Sequence, residues 1–339
     1  MPSYLSVPRE NIFLKLKGFW ADKVLEAGLR LQFRGKNSTM RSLWALDPNI
    51  LNNIKIRWPI AYEWPPAGKW VDFFVTSLQK TVKIEFGDIE QLFSGIVVFE
   101  IDVNGKSCKI AIDYSDYTPI NEEAYNYCSL YFKMQYLEDG YGERNIIPGG
   151  FVTHGDQIYT YLNQIRKIRD QKKFQYDVYG RFSIDFATNV RTAAVGYLFN
   201  QNRFSYEGGL KKVRYIRFLR EIATSKVCID LPGNGDFCFR LIDYFAVGAC
   251  VIAKRHRTKL HFPLIDKKNI VYAKDDMSDL VDLCDYYVKN DDAREEICSN
   301  SRDFFDRHLH RDQLSRYYIY QCIDAIKNGN TNDSGPQSG

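Results

Sequence analysis

The sequence predicts an α/β protein of two layered domains facing each other across a cleft. Three observations lead there. The chain has 339 residues, two domains' worth at roughly 100–200 residues each. From Phe174 onward, short apolar runs alternate with amphipathic stretches, the pattern of a parallel sheet covered by helices. Before that point, strand-like runs are mixed with a hairpin signal and one long amphipathic helix. The boundary falls at Lys172, which gives domains 1–172 and 173–327 and a polar, glycine-containing tail, 328–339, that is expected to be disordered.

Along the first half, residues 11–34 carry apolar side chains at largely helical spacing, with Gly18 and Gly28 as weak points. Pro59, Pro65 and Pro66 mark 58–68 as an irregular loop. Strands are expected at 70–76, 81–86 and 95–103, the last joined to 107–113 by an Asn104-Gly105 turn. A short helix at 121–127, a strand at 129–135 and a Pro148-Gly149-Gly150 loop follow. The stretch 156–172 sets Ile158, Leu162, Ile165 and Ile168 on one helical face and ends in basic residues, which suits a helix C-terminus.

In the second half, strands are expected at 176–179, 204–206, 227–230, 250–253 and 270–272. The intervening helices are 189–199, 211–224 and 238–247, and three more, at 279–289, 292–308 and 313–327, close the domain.

Composition narrows the function. The chain is 45% hydrophobic and 26% charged, so it can bury a core. Its net charge of +4 is too small for a general nucleic-acid binder and compatible with an anionic small ligand. Aromatic residues make up 15%; their faces suit sugar rings and bases, or simply a Tyr- and Phe-heavy core. No apolar run approaches the length of a membrane span, and the first 17 residues carry no secretory pattern. Eight cysteines without a C-x-x-C pair read as free thiols in a reducing, cytoplasmic setting.

The chemistry concentrates in 225–254. There a strand runs into Pro232-Gly233-Asn234-Gly235, and a helix is expected from about Asp236. Glycines let backbone bend closely around a ligand, and a helix N-terminus presents unpaired N–H groups to an anion. Arg240, one turn into this helix, could fork onto a phosphate. Asp243, three residues on, could accept hydrogen bonds from ribose hydroxyls; alternatively the two form an intrahelical ion pair. Asp275-Asp276 reads as a helix-capping pair rather than a metal site. The basic run 211–220 reads as a solvated helix face, or as a surface for an anionic membrane. The dinucleotide G-x-G-x-x-G fingerprint and the P-loop are both absent.

Ser225-Lys226, Gly233-x-Gly235, Arg240-Leu241, Gly248 and Val251-Ile252 stand in the order seen in one family. His261-Phe262-Pro263-Leu264, Met277-Ser278-Asp279-Leu280, the 291–296 acidic run and Ser301-Arg302 continue it. Over 174–310 the chain resembles the C-terminal donor domain of GT-B glycosyltransferases, in particular the exostosin-like and CgeB-like groups. The resemblance implies two Rossmann-like domains, with an acceptor-side domain first and a nucleotide-sugar donor domain second. It implies transfer of a sugar from a nucleotide-sugar donor to a carbohydrate or lipid-linked glycan acceptor, as in polysaccharide biosynthesis, with no metal and no cofactor. The setting would be cytoplasmic, with peripheral contact to the inner membrane face. Arg240 would meet the diphosphate, Gly233, Asn234 and Gly235 would form the donor loop, and Arg181 would lie near the donor. Asp243 would meet the ribose, although the family carries the longer Glu there. An inverting transfer needs a general base from the first domain, and Asp113, Asp116 and His154 are the candidates. A non-catalytic two-domain nucleotide- or sugar-binding protein is the alternative.

Overall fold

The structure, a computed structural model, describes residues 43–210 and 212–327 together with 20, 22–24, 26 and 27. Most of the helix expected within 11–34, and all of the tail 328–339, lie outside the described residues.

The first half is built on a six-stranded mixed sheet. Its elements are α1 (Pro48–Leu51), β1 (Ile54–Pro59), α2 (Gly68–Leu78), β2 (Lys83–Gly87), β3 (Ile96–Val103), β4 (Lys106–Asp113), α3 (Glu122–Tyr127), β5 (Leu130–Lys133), β6 (Tyr136–Leu137) and β7 (Ile146–Pro148). The sheet order is β2-β1-β3-β4-β5-β7. The β3–β4 hairpin turns at Asn104-Gly105, with φ of 55° and 84°, the left-handed pair that a two-residue turn requires.

The expected strand 70–76 is instead part of α2. Aromatic and β-branched residues crowd this stretch and favour a strand in isolation. However, Val71, Phe74, Val75 and Leu78 fall on one helical stripe, and all four are buried. Core packing therefore decides the conformation. The strand β1 was hidden because its proline-ended run led into the loop signal.

The second half is a five-stranded parallel sheet. Helix α4 (Gln157–Asp170) leads into it. Then come β8 (Tyr176–Arg181), α5 (Thr188–Asn200), β9 (Tyr206–Gly209), α6 (Tyr215–Ala223), β10 (Ser225–Asp230), α7 (Phe239–Val247), β11 (Cys250–Lys254), β12 (Thr258–Lys259) and β13 (Val271–Ala273). Helices α8 (Leu280–Lys289), α9 (Asp291–Phe304) and α10 (Arg311–Lys327) follow, with a π turn at Phe305–Leu309 between the last two. In chain order, the five strands of this sheet stand 2-1-3-4-5. Residues 227–229 of β10 and 250–253 of β11 form continuous apolar runs because both sheet faces are covered. Helix α7 is buried all round from Leu241 to Val247, which makes it the central rod of this layer.

Packing crosses the boundary drawn at Lys172. Helix α4 lies against α6 and α7 of the second layer, while α10 returns to α2, β3 and β4 of the first. Strands β6 and β12 pair as a two-stranded ribbon that also joins the halves.

Candidate functional site

In an open parallel sheet, ligands bind beyond the carboxyl ends of the strands where the strand order reverses. Here that point lies between β8 and β10. Two cavities open there. The smaller, about 280 Å³, is lined by residues that include Arg181, Phe182, Tyr215, Phe218 and Asp243. The larger, about 930 Å³, runs between the halves, from Trp64, Trp70 and 114–117 on one wall to Arg191 and 233–240 on the other. They meet at His154, Ser183 and Arg240.

Arg240 sits at the floor of this junction. Its Nε binds the buried Asp230 carboxylate at 2.9 Å, and its Nη2 donates to Leu231 O at 2.6 Å. Its guanidinium lies 4.8 Å from the Phe182 ring centroid. The partner is thus Asp230 at the end of β10, not Asp243 on its own helix. Burial pushes the Asp230 carboxyl up to about 6, against the opposing pull of Arg240. With Nε and Nη2 fixed to Asp230 and backbone, and Nη1 donating to Arg181 O at 3.4 Å, the guanidinium borders both cavities.

A second guanidinium stands beside it, one the sequence reading missed. Arg191 donates from Nε to Pro232 O at 2.9 Å and from Nη1 to Ser183 O at 2.6 Å. Burial and the charge of Arg240 both lower its pKa. Two like charges gathered at one point favour an anion between them. A signal for Arg191 was present: it lies near the N-terminus of α5, where the helix dipole disfavours a cation.

The glycine turn closes on itself through Gly233 N–H to Gly235 O at 2.9 Å. It is pressed against the first half: a Cβ on Gly235 would lie 2.6 Å from Asp116 O. Asn234 Nδ2 reaches Asp116 Oδ2 at 3.4 Å. Helix α7 begins at Phe239 rather than near Asp236. The turn is therefore held across the cleft as well as by its own helix. Gln135, fully buried, donates from Nε2 to Phe237 O at 2.9 Å and accepts from Phe237 N–H at 3.2 Å.

Asp243 is fully buried. Its Oδ1 accepts from Tyr215 OH at 2.9 Å and from His154 N–H at 3.2 Å. Among the described residues its Oδ2 has no hydrogen-bond partner. Burial pushes this carboxyl up to about 8, so it is largely protonated at neutral pH. A neutral acid in the wall of the smaller cavity can donate or accept toward a ligand hydroxyl.

The three candidate bases separate clearly. Asp113 is 2% exposed. It accepts from Lys133 Nζ at 2.6 Å, Tyr131 OH at 2.5 Å, Ser115 N at 2.9 Å and Ser115 Oγ at 2.6 Å. Those four donors hold it inside the core, off the lining of the large cavity. Asp116 is exposed on the cleft wall, and burial raises its pKa. The His154 ring is exposed between Tyr215 and Phe239, at centroid distances of 5.2 and 6.0 Å. Desolvation, then nearby Lys69, lowers its pKa and favours the neutral ring.

Arg181 lines the smaller cavity, where it is buried and paired with Glu221 at 2.8 Å and with Glu207. Asp276 accepts from Ser278 N–H at 3.0 Å, a turn just ahead of α8. Among the described residues no group of three or more His, Cys, Asp or Glu side chains converges on a metal position. Nor is any described helix long and apolar enough to cross a membrane.

A parallel α/β layer with two guanidiniums at its switch point has the donors that a phosphorylated ligand would need. Residues 162–317, a little under half of the chain, match the family described as Glycosyl transferase-like. The match does not single out the exostosin-like or CgeB-like groups. None of the curated proteins matches the chain. Among solved structures, a glycosyltransferase from Rickettsia africae is 10% identical, with 97% of this chain and 84% of that one covered and a TM-score of 0.42. Anabaena Alr3699/HepE in complex with UDP-glucose is 13% identical over 54% and 57%, with a TM-score of 0.34. The C-terminal domain of the group 1 glycosyl transferase LpcC from Francisella tularensis is 13% identical over 41% and 90%, with a TM-score of 0.31.

Proposed function

We propose that the protein is a metal-independent, inverting GT-B glycosyltransferase that moves a sugar from a nucleotide-sugar donor to a carbohydrate acceptor. The observation that carries this reading is the pair Arg240 and Arg191 at the switch point, beside the 233–235 turn. In this reading the donor diphosphate lies between the two guanidiniums, and the ribose reaches Asp243 in the smaller cavity. The acceptor hydroxyl comes from the larger cavity. As its oxygen attacks the anomeric carbon, its proton passes to the His154 ring. The bond from the sugar to the phosphate oxygen breaks, and the leaving diphosphate keeps the electron pair. Preorganised cations stabilise that growing charge more than they stabilise the ground state.

Calorimetry with UDP, GDP, dTDP, ADP and CMP tests the donor site. One nucleotide is expected to bind, and Arg191→Ala to weaken it about ten- to a hundredfold, the worth of one charge-assisted bond of roughly 1.5–3 kcal/mol. Arg240→Ala weakens it similarly but also leaves Asp230 buried without its cation, so its affinity is read on the folded fraction. Wild-type affinity in both variants would remove the pair from the donor site. Transfer activity is expected to survive EDTA, and loss restored by Mn²⁺ would overturn metal independence.

A further inference from the structure

On the first-half wall of the large cavity, aromatic rings stand in a row. Trp64 stacks on Trp70 at a centroid distance of 5.0 Å and an interplanar angle of 21°. Trp70 stacks in turn on Tyr114 at 5.3 Å and 12°, and on Phe239 of the other half at 5.7 Å and 23°. Trp70 is therefore covered by its neighbours. Trp64 ends the row and is 46% exposed.

The backbone beneath Trp64 is stiff. The residue sits at φ −117°, ψ 107°, ahead of Pro65 and Pro66, and Ala67 N–H closes a tight turn onto its carbonyl at 2.8 Å. A residue before proline is held in the extended region, and proline fixes its own φ. The indole is thus presented by a rigid mount, at little entropic cost to a ligand that covers it.

Charge around the cavity is divided. Among the described residues, the first-half lining contributes the carboxylates of Glu63 and Asp116 and no Lys or Arg. The facing wall contributes Arg191 and Arg240. An anionic donor is drawn to the second wall. A negatively charged acceptor would meet the two carboxylates on the first, whereas hydroxyl groups can donate to them.

We infer that the outer face of Trp64 is the acceptor subsite and takes the C–H face of an uncharged pyranose of a glycan. The carboxylates of Glu63 and Asp116 receive the ring's hydroxyls. This rests on the sugar-transfer reading, and it adds the class of acceptor: a neutral sugar rather than a uronate, sialylated or phosphorylated one.

The test uses the full chain with a saturating concentration of whichever nucleoside diphosphate binds best. Wild type, Trp64→Ala and Trp64→Phe are applied to an array of neutral oligosaccharides and of uronate-containing, sialylated and phosphorylated glycans. Wild type is expected to retain neutral glycans. Trp64→Ala should weaken that retention at least tenfold, as loss of a tryptophan anchor does, and Trp64→Phe should recover part of it. The nucleotide dissociation constant should stay within twofold in both variants. Retention of acidic glycans alone, retention independent of Trp64, or no retention of any glycan would overturn the subsite. So would a changed nucleotide affinity in Trp64→Ala, which would make the indole a donor-base platform. If no nucleotide binds wild type at all, it is the sugar-transfer reading that falls.

Discussion

At His154 the main chain and the side chain do different jobs. The N–H holds Asp243 from within the core, while the ring faces the cleft. Replacing it by alanine leaves the N–H in place, so His154→Ala should cut turnover about 10²–10⁴-fold with little change in nucleotide affinity. Desolvation and Lys69 hold the ring's pKa below the usual 6.5. A base must be unprotonated, so the wild-type rate should rise with pH through a point below 6.5 and be flat above it. A pH–rate profile still climbing at pH 7.5 would point to another group. Asp243 has the opposite signature. Its carboxyl is raised from 3.8 to about 8 in the folded chain, so between those values the folded state holds a proton that the unfolded state has released. Stability then falls as pH rises through that window. Asp243→Asn removes the titration, so its melting temperature relative to wild type should climb between pH 5 and pH 8. Calorimetric scans showing a constant difference would refute the burial argument. Asp113 shows why residue-scale reading misled: the end of a strand looks the same from sequence whether its side chain meets cleft or core. Here the deciding partner, Lys133, lies on a neighbouring strand.

Among the elements, the parallel strands were legible and the clamp on the glycine turn was not. The stretches 227–229 of β10 and 250–253 of β11 are apolar because both faces are covered, and Gly248 ends α7 at φ 85°. Helix α2 was misread because a short stretch rich in aromatic and β-branched residues fits either period, and only its contact with α10 resolves the choice. Gln135 gave no signal at all. Its two bonds go to Phe237, 102 positions away, and an isolated glutamine marks nothing in a sequence. With both amide atoms engaged, it holds the backbone between the turn and the start of α7 as a strand neighbour would. Gln135→Ala should therefore strand the Phe237 N–H and carbonyl in a buried position, costing about 1–3 kcal/mol of stability and weakening nucleotide binding several-fold. Gln135→Glu, which keeps the acceptor and loses the donor, should fall between. Unchanged nucleotide affinity in a destabilised Gln135→Ala would make the clamp purely structural.

For the molecule as a whole, the two layers are not independent bodies on a single tether. The β6–β12 ribbon, the Gln135 clamp and the α10 crossover tie them at separate places around the cleft. The crossover also bears on how the chain is made. Tyr318 on α10 stacks on Phe132 of β5 at 3.8 Å and packs on Phe74 of α2 at 4.5 Å, and its hydroxyl binds Gly149 O at 2.8 Å. Tyr317 beside it binds Pro148 O at 2.7 Å. The first sheet's core is thus completed by a helix that leaves the ribosome long after the sheet's own strands. At about 5–20 residues per second, the stretch from β7 to α10 takes on the order of ten seconds to synthesise. Throughout that interval, the apolar face around Phe132 and Phe74 waits uncovered on the nascent chain. The N-terminal layer cannot complete its core until α10 has been made. A premature stop just ahead of Arg311 would spare every strand of the second sheet and still leave the first without its lid.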